Sequence, residues 1–453
     1  MPDQRPGDGT PGRRRGRRLR HRRACAARRA RLADRGSGQV KRKEHIDWLR
    51  NLAILFLFPF HTARIFNDNP EFYVKGPEND FSSALVNVSS FWFMPLLFLL
   101  AGMSSYYALR KRSAGSYAKE RYLRLLIPFF FGCLVVVPPQ AYYAMKFHDG
   151  YEGGYFEFLE TYFTDFSEWT VLTGISPAHL WFILFLFLIS LALLPLMLRV
   201  IRSGYTPDWL GRPVLALAPA VGLALLSFLP EIGGENIFVY AGYVLLGFLI
   251  ATDDSITEAL VRHRRAYLLI AVPGAAGIVV ERFTIDSQTS LLFTAWHYPV
   301  YWATVLALLG YGKRYLDRRS AFMDYFSRGA FPVYILHQTY LIVIAYYVLQ
   351  RDAHGAVNFL AIMVPALLLS VATYEVIRRT PGLRTMFGLR APRRSPRPLP
   401  AGEARTAEPR ATAQENTATR QNAATPRSVA TPRSAAAPES AAAPESAATP
   451  ERR

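Results

Sequence analysis

Two residues in the first apolar block of the chain, Arg50 and His61, are of the types that handle a charged donor and an acceptor proton. Eleven positions apart, in a helix they stand about three turns plus 20° from one another, so they share one face at a separation of about 16 Å along the axis. An arginine fork holds an anionic group such as a phosphate by paired hydrogen bonds, and a neutral imidazole can take the proton of an acceptor hydroxyl. A reaction whose donor enters at one end and whose acceptor waits at the other would use the pair in that way. The competing reading is that Arg50 snorkels to the nearer surface and His61 satisfies a neighbouring helix.

Further candidates follow along the chain. Arg121 and Arg124, at i and i+3 ahead of the third apolar block, point the same way from one helical turn. His337 lies about seven residues inside the ninth block, a depth that snorkelling does not explain, and an ionisable group in hydrocarbon costs roughly 2.5–3.5 kcal/mol. His179 caps the outer end of the fourth block, where it can face the acceptor. Glu375, near the end of the last block and level with Arg50, either pairs with that arginine or is an interfacial carboxylate beside Arg378. His297 is taken as structural.

These residues need a membrane to hold them in place. The chain has 453 residues with 53 Lys+Arg against 34 Asp+Glu, a net charge of +19, yet 51% of it is hydrophobic. The charge is concentrated in the tails: residues 1–40 hold 13 Arg against 3 Asp, and residues 391–453 hold 10 Arg against 6 Glu. Both tails have compositions that cannot bury enough apolar surface to fold, and are expected to be disordered. Between them, 41–390 is expected to be an all-α membrane bundle with about ten transmembrane helices, at 46–66, 88–107, 125–145, 180–198, 214–229, 237–251, 267–280, 291–309, 330–349 and 357–377. With both termini cytoplasmic, the inner loops hold 17 Lys and Arg and the outer loops 4, the asymmetry of a multi-pass plasma-membrane protein. Arginines interrupt any signal-peptide core after the first basic run, so the first block is expected to be an uncleaved anchor.

The outer loops at 67–85 and 146–179 are acidic and aromatic, the second carrying Tyr151, Tyr155, Phe156, Phe158, Tyr162, Phe163, Phe166 and Trp169. Such rings stack on a sugar or form an interfacial belt. Cys25 and Cys133 are too few for a disulfide frame or a metal cluster, and no metal is expected. The chain lacks a phosphate-binding Gly-x4-Gly-Lys loop, a His-Glu-x-x-His pair and a Gly-x-Ser-x-Gly elbow, which removes support for ATP-driven transport, zinc hydrolysis and serine hydrolysis. The basic first tail suits anionic headgroups of the lipid bilayer, and no specific nucleic-acid partner is expected.

The segments DWLRNLAILFLFPFH, RYLRLLIPFFFG, HLWFILFLF and FPVYILHQTYL, in this order between Glu44 and Arg384, resemble integral-membrane acyltransferases of the acyltransferase 3 family. That family carries an Arg-x10-His pattern in its first span and an Arg-x-x-Arg pair before its third, matched here by Arg50…His61 and Arg121–Arg124. Among its branches the chain looks most like the glucan biosynthesis protein C type. The resemblance implies transfer of an acyl group, acetyl or succinyl, from cytoplasmic acyl-CoA (acetyl-CoA or succinyl-CoA) to a hydroxyl of an extracytoplasmic glycan or glycolipid. It makes His61 the catalytic base or acyl relay, and Arg50, Arg121 and Arg124 ligands of the CoA phosphates or the thioester. The family's Glu before Pro has a looser counterpart in Glu375 and Pro381. A glycan or lipid transporter or flippase is the alternative, since buried Arg and His also mark translocation paths, though no internal repeat aligns.

Overall fold

A computed structural model of the chain describes residues 43–164, 175–284, 291–351 and 354–389. The two tails lie outside the described residues, as do Phe166 and Trp169 of the aromatic loop. Among the described residues the regular structure is helical, with a single isolated bridge between Ile232 and Glu235. The helices are α1 (Glu44–Phe66), α2 (Asp80–Leu109), α3 (Ala114–His148), α4 (Tyr155–Thr164), α5 (Trp181–Ala192), α6 (Leu194–Ser203), α7 (Leu215–Leu226), α8 (Ile237–Ile250), α9 (Asp254–Thr284), α10 (Leu291–Tyr315), α11 (Ala321–Val348), α12 (Gly355–Arg379) and α13 (Pro381–Met386).

By length and composition α2, α3, α11 and α12 can each cross a membrane. The bent pairs α5–α6, at 49°, and α8–α9, at 105°, raise the number to six if each is one span. This is fewer than the ten expected, and charge and length account for part of the difference. Helix α1 carries Glu44, Asp47, Arg50 and Arg64, and α9 starts at Asp254 and runs through Arg262, Arg264 and Arg265 before its apolar part. Helix α7 is too short to span on its own. At the other extreme α2 begins at Asp80, eight residues before the hydropathy boundary, because the Asn79 side chain accepts a hydrogen bond from Ser82 N at 2.9 Å and caps it.

Prolines set the local form of α3. Pro128 has no N–H and its ring clashes with the carbonyl four residues back, so the chain ahead of it opens into a π turn over Tyr122–Leu126, with Ile127 N donating to Tyr122 O. The same happens before Pro138, where Val137 N donates to Gly132 O at 2.9 Å. Arg124 sits inside the first of these turns.

Two glycines fix the crossing of α2 and α8. A Cβ on Gly102 would lie 2.0 Å from Val244 O, and one on Gly247 would lie 2.0 Å from Leu99 O, so the backbones touch and only a hydrogen fits at either place. Helix α1 packs against α2 on one side and against α11 on the other. Asn51 Nδ2 donates to Ser327 Oγ at 2.6 Å across the α1–α11 seam.

The segment between α1 and α2 folds around Lys75, whose ammonium donates to Asn69 O at 2.9 Å and to both the carbonyl and the side chain of Asn67. In the 146–179 loop, Phe158 and Tyr162 are buried against Ala141, and the Tyr162 hydroxyl donates to Cys133 O at 3.2 Å. Those two aromatics are packing residues, whereas Phe156 is exposed.

Candidate active site

Two cavities lie end to end in the bundle. The larger, about 990 Å³, is lined by His61, Arg64, His179, Glu235 and Gln338 among others, and the smaller, about 370 Å³, by Arg50, Arg112, Glu120, Arg121 and Arg124. The helical period explains how one helix reaches both. On α1, Arg50 and Ile54 face the smaller cavity and Leu57, His61 and Arg64 face the larger, in steps of four and three residues along a single stripe. On α2 the stripe runs from Ser90 through Leu97 to Ala108, and on α11 from Ser327 through Tyr334 to Gln338. Tyr334 lines both cavities.

The smaller cavity is electropositive, with four arginines and one glutamate in its lining. Its charges are anchored. Glu120 pairs with Arg112 and, at 3.3 Å, with Arg124, whose Nε also donates to Gly388 O at 3.1 Å. Arg121 donates to Ser105 Oγ at 2.9 Å and lies 4.8 Å over the Tyr117 ring, and Tyr117 OH donates to the same Ser105 Oγ at 3.0 Å. Arg50 pairs with Asp47, one turn back on α1. Guanidinium groups fixed in this way around one cavity have the charge and geometry to bind phosphate or carboxylate groups.

The larger cavity holds imidazoles. The His61 ring centroid is 5.0 Å from that of His337, which is in turn 5.0 Å from that of His179. His179 is fully engaged: its Nε2 donates to Ile335 O at 2.9 Å, which leaves Nδ1 to accept from Gln140 Nε2 at 3.5 Å. His337 is engaged on one side only, with Nδ1 donating to Tyr334 O at 2.5 Å. Its Nε2 is therefore a bare acceptor, and it is buried without a partner. His61 Nδ1 is likewise buried without a partner, while the residue lines the cavity. Two orphaned nitrogens thus lie on neighbouring rings, one of them an obligate acceptor, with no hydrogen bond between them.

In the lining of the larger cavity Tyr240 OH donates to Glu235 Oε2 at 2.6 Å. Burial pushes the Glu235 carboxyl up to about 7, helped by nearby Glu231 and opposed by the tyrosine hydrogen bond. Among the described residues no group of three or more His, Cys, Asp or Glu is placed to hold a metal ion.

A family model described as an acyltransferase domain matches residues 44–375. The chain belongs to the acyltransferase 3 family. It is a membrane acyltransferase, and the matched region contains both cavities' arginines and imidazoles. No curated protein and no solved structure matches the chain.

In this acyltransferase the residues singled out by sequence divide into three groups. Arg50, Arg121 and Arg124 come together in one cavity, and His61, His179 and His337 in or beside the other. Glu375 stands apart: its Oε1 accepts from Tyr325 OH at 2.6 Å and its Oε2 pairs with Arg378 at 2.6 Å and Arg379 at 3.2 Å, while Arg50 pairs with Asp47 instead. His297 is bound by Glu281 at 2.9 Å and Tyr301 at 3.1 Å, a packing arrangement. Sequence reasoning passed over Glu120, Tyr334, Gln338 and Glu235. Gln338 carried a signal, as a polar side chain next to His337 in an apolar run, and Tyr334 shares its helix face at i−4.

Proposed function

We propose that the chain is an O-acyltransferase that moves a short acyl group, acetyl or succinyl, from cytoplasmic acyl-CoA to a hydroxyl of an extracytoplasmic glycan or glycolipid. One observation carries the reading: a single face of α1 presents Arg50 to an arginine-lined cavity and His61 to a second cavity that abuts it. An anionic carrier with a long arm suits the first, and a neutral polyhydroxyl acceptor the second. The loop charges read from the sequence are consistent with the same polarity. Arg112 and Glu120 come from a loop rich in positive charge, whereas Glu71 and Glu235 come from loops on the opposite side in the ten-span arrangement with both termini cytoplasmic.

In the reaction, Arg50, Arg121 and Arg124 hold the phosphates and direct the thioester toward the larger cavity. His61 takes the acceptor hydroxyl proton, the freed oxygen forms a bond to the thioester carbon, and the carbon–sulfur bond breaks to release the CoA thiolate, which is then protonated. For His61 to be the base at the nitrogen facing the cavity, its other nitrogen must carry hydrogen. His337 Nε2 is the unpartnered acceptor on the neighbouring ring, and a hydrogen bond formed to it as the acceptor substrate binds positions His61 in the productive tautomer.

The test is reconstitution. The purified chain in liposomes, given acetyl-CoA or succinyl-CoA, should release free CoA thiol only when the acceptor is added. Cell-surface glycans from producing cells should show an acetyl or succinyl mass increment that is absent without the chain. Glycan export lost with no change in acylation would instead mark a transporter.

A further inference from the structure

Tyr334 is the residue shared by the two cavities, and its side chain is buried. It is 4% exposed, its hydroxyl donates to His179 O at 2.5 Å, and its ring lies 5.8 Å from Phe182 and 6.3 Å from Phe331, both of which line the smaller cavity. The smaller cavity is graded, with arginines toward one end and Ile54, Leu97, Phe182 and Leu186 in its lining as well. A carrier bound by its phosphates therefore extends its acyl end into apolar surroundings that stop at the Tyr334 ring. His61 is on the other side.

We propose that Tyr334 is the septum between the donor and acceptor chambers and that its ring, braced by Phe182 and Phe331, sets the largest acyl group that reaches His61. The proposal rests on the acyl-CoA reading given above. The phenol is tethered to the backbone of His179, a residue of the acceptor chamber, so ring position and acceptor chamber are tied together by one hydrogen bond. Short acyl groups pass the ring edge. Longer ones are refused because the ring, tethered at its hydroxyl and flanked by Phe182 and Phe331, stands across the path.

Two readouts test this. Wild type, Tyr334→Ala and Tyr334→Leu are compared for transfer from acetyl-, butyryl-, hexanoyl- and octanoyl-CoA. One methylene in an apolar pocket is worth about tenfold or more, so the hexanoyl-to-acetyl ratio should rise by at least about tenfold in Tyr334→Ala and by less in Tyr334→Leu. The second readout needs no acyl transfer. In a background with Cys25→Ser and Cys133→Ser, an Ala101→Cys variant places a thiol in the smaller cavity. A small membrane-impermeant thiol reagent added from the His61 side should leave it unlabelled when Tyr334 is present and label it in Tyr334→Ala or Tyr334→Leu. Unchanged acyl ratios, or labelling through an intact Tyr334, overturns the septum. If His61→Ala still transfers acetyl at the wild-type rate the reaction assignment fails instead, and the labelling result still decides whether Tyr334 divides the chambers.

Discussion

The two chambers solve opposite problems. In the smaller, every charge has a local partner: Arg124 leans on Glu120 and Gly388, Arg121 on Ser105 and Tyr117, and Arg50 on Asp47. In the larger, the groups that matter are those left without one, His61 Nδ1 and His337 Nε2. Binding by several anchored cations is spread over many contacts and degrades gradually when one is removed. Chemistry by one imidazole is not, so damage there should be abrupt.

That contrast ranks the effects of mutation. His61→Ala should lower turnover by about 10²–10⁴-fold while yield and insertion are retained, since a positioned acid–base group contributes that much. His61→Gln, which keeps hydrogen bonding without basicity, should be equally inactive, and near wild-type acylation by His61→Gln would remove the residue from the mechanism. His337→Phe should cost about 10–100-fold in kcat with KM nearly unchanged, the usual effect of losing an outer partner that orients a functional histidine. His337→Gln, whose amide oxygen can still accept from His61, should recover much of that loss. A raised KM with unchanged kcat in the Phe variant would mark His337 as part of acceptor binding.

The arginines should give smaller and more graded losses. Removing one charge-assisted contact to a phosphate should raise the apparent donor KM by about tenfold in Arg121→Ala, with kcat little altered. Arg124→Ala should do less, because part of that side chain is already committed to Glu120 and Gly388. Donor KM should also rise with salt. An abrupt loss of kcat in either variant would break the comparison. The smallest effect concerns Glu235, with its carboxyl at about 7. As pH rises through 7 the group becomes a charged acceptor, so acceptor KM should fall by a few fold, and Glu235→Gln should erase the inflection. A titration of KM between pH 6 and 8 in both proteins reads this directly.

The shared face of Arg50 and His61 was legible in the residues, because they are related by the helical period and nothing distant is needed to place them together. The nearness of the His337 ring to that of His61 was not. It depends on how α11 packs on α1, which no local pattern encodes, although the depth of His337 marked it as unusual. Glu375 illustrates the converse: being level with Arg50 along the bundle says nothing about the angular position of either side chain, and the nearer arginines at i+3 and i+4 took the carboxylate. The π turns of α3 follow from Pro128 and Pro138, yet hydropathy alone reads that segment as one uniform apolar run. Tyr334 and Glu120 owe their significance to which helices meet around them, and so emerge only from the fold.

The Gly102–Gly247 crossing bears on how such a protein can diversify. A side chain at either position must drive the backbones of α2 and α8 apart, and the displaced α2 is the same helix whose Ser90, Leu97 and Ala108 wall both chambers. Chamber width is thereby inherited through two Cα hydrogens that touch neither donor nor acceptor. A descendant enlarging its substrate range by widening the bundle has to repack the whole α2–α8 crossing around the new side chain, whereas one that changes the lining side chains can leave the crossing alone, which makes the second the shorter mutational route.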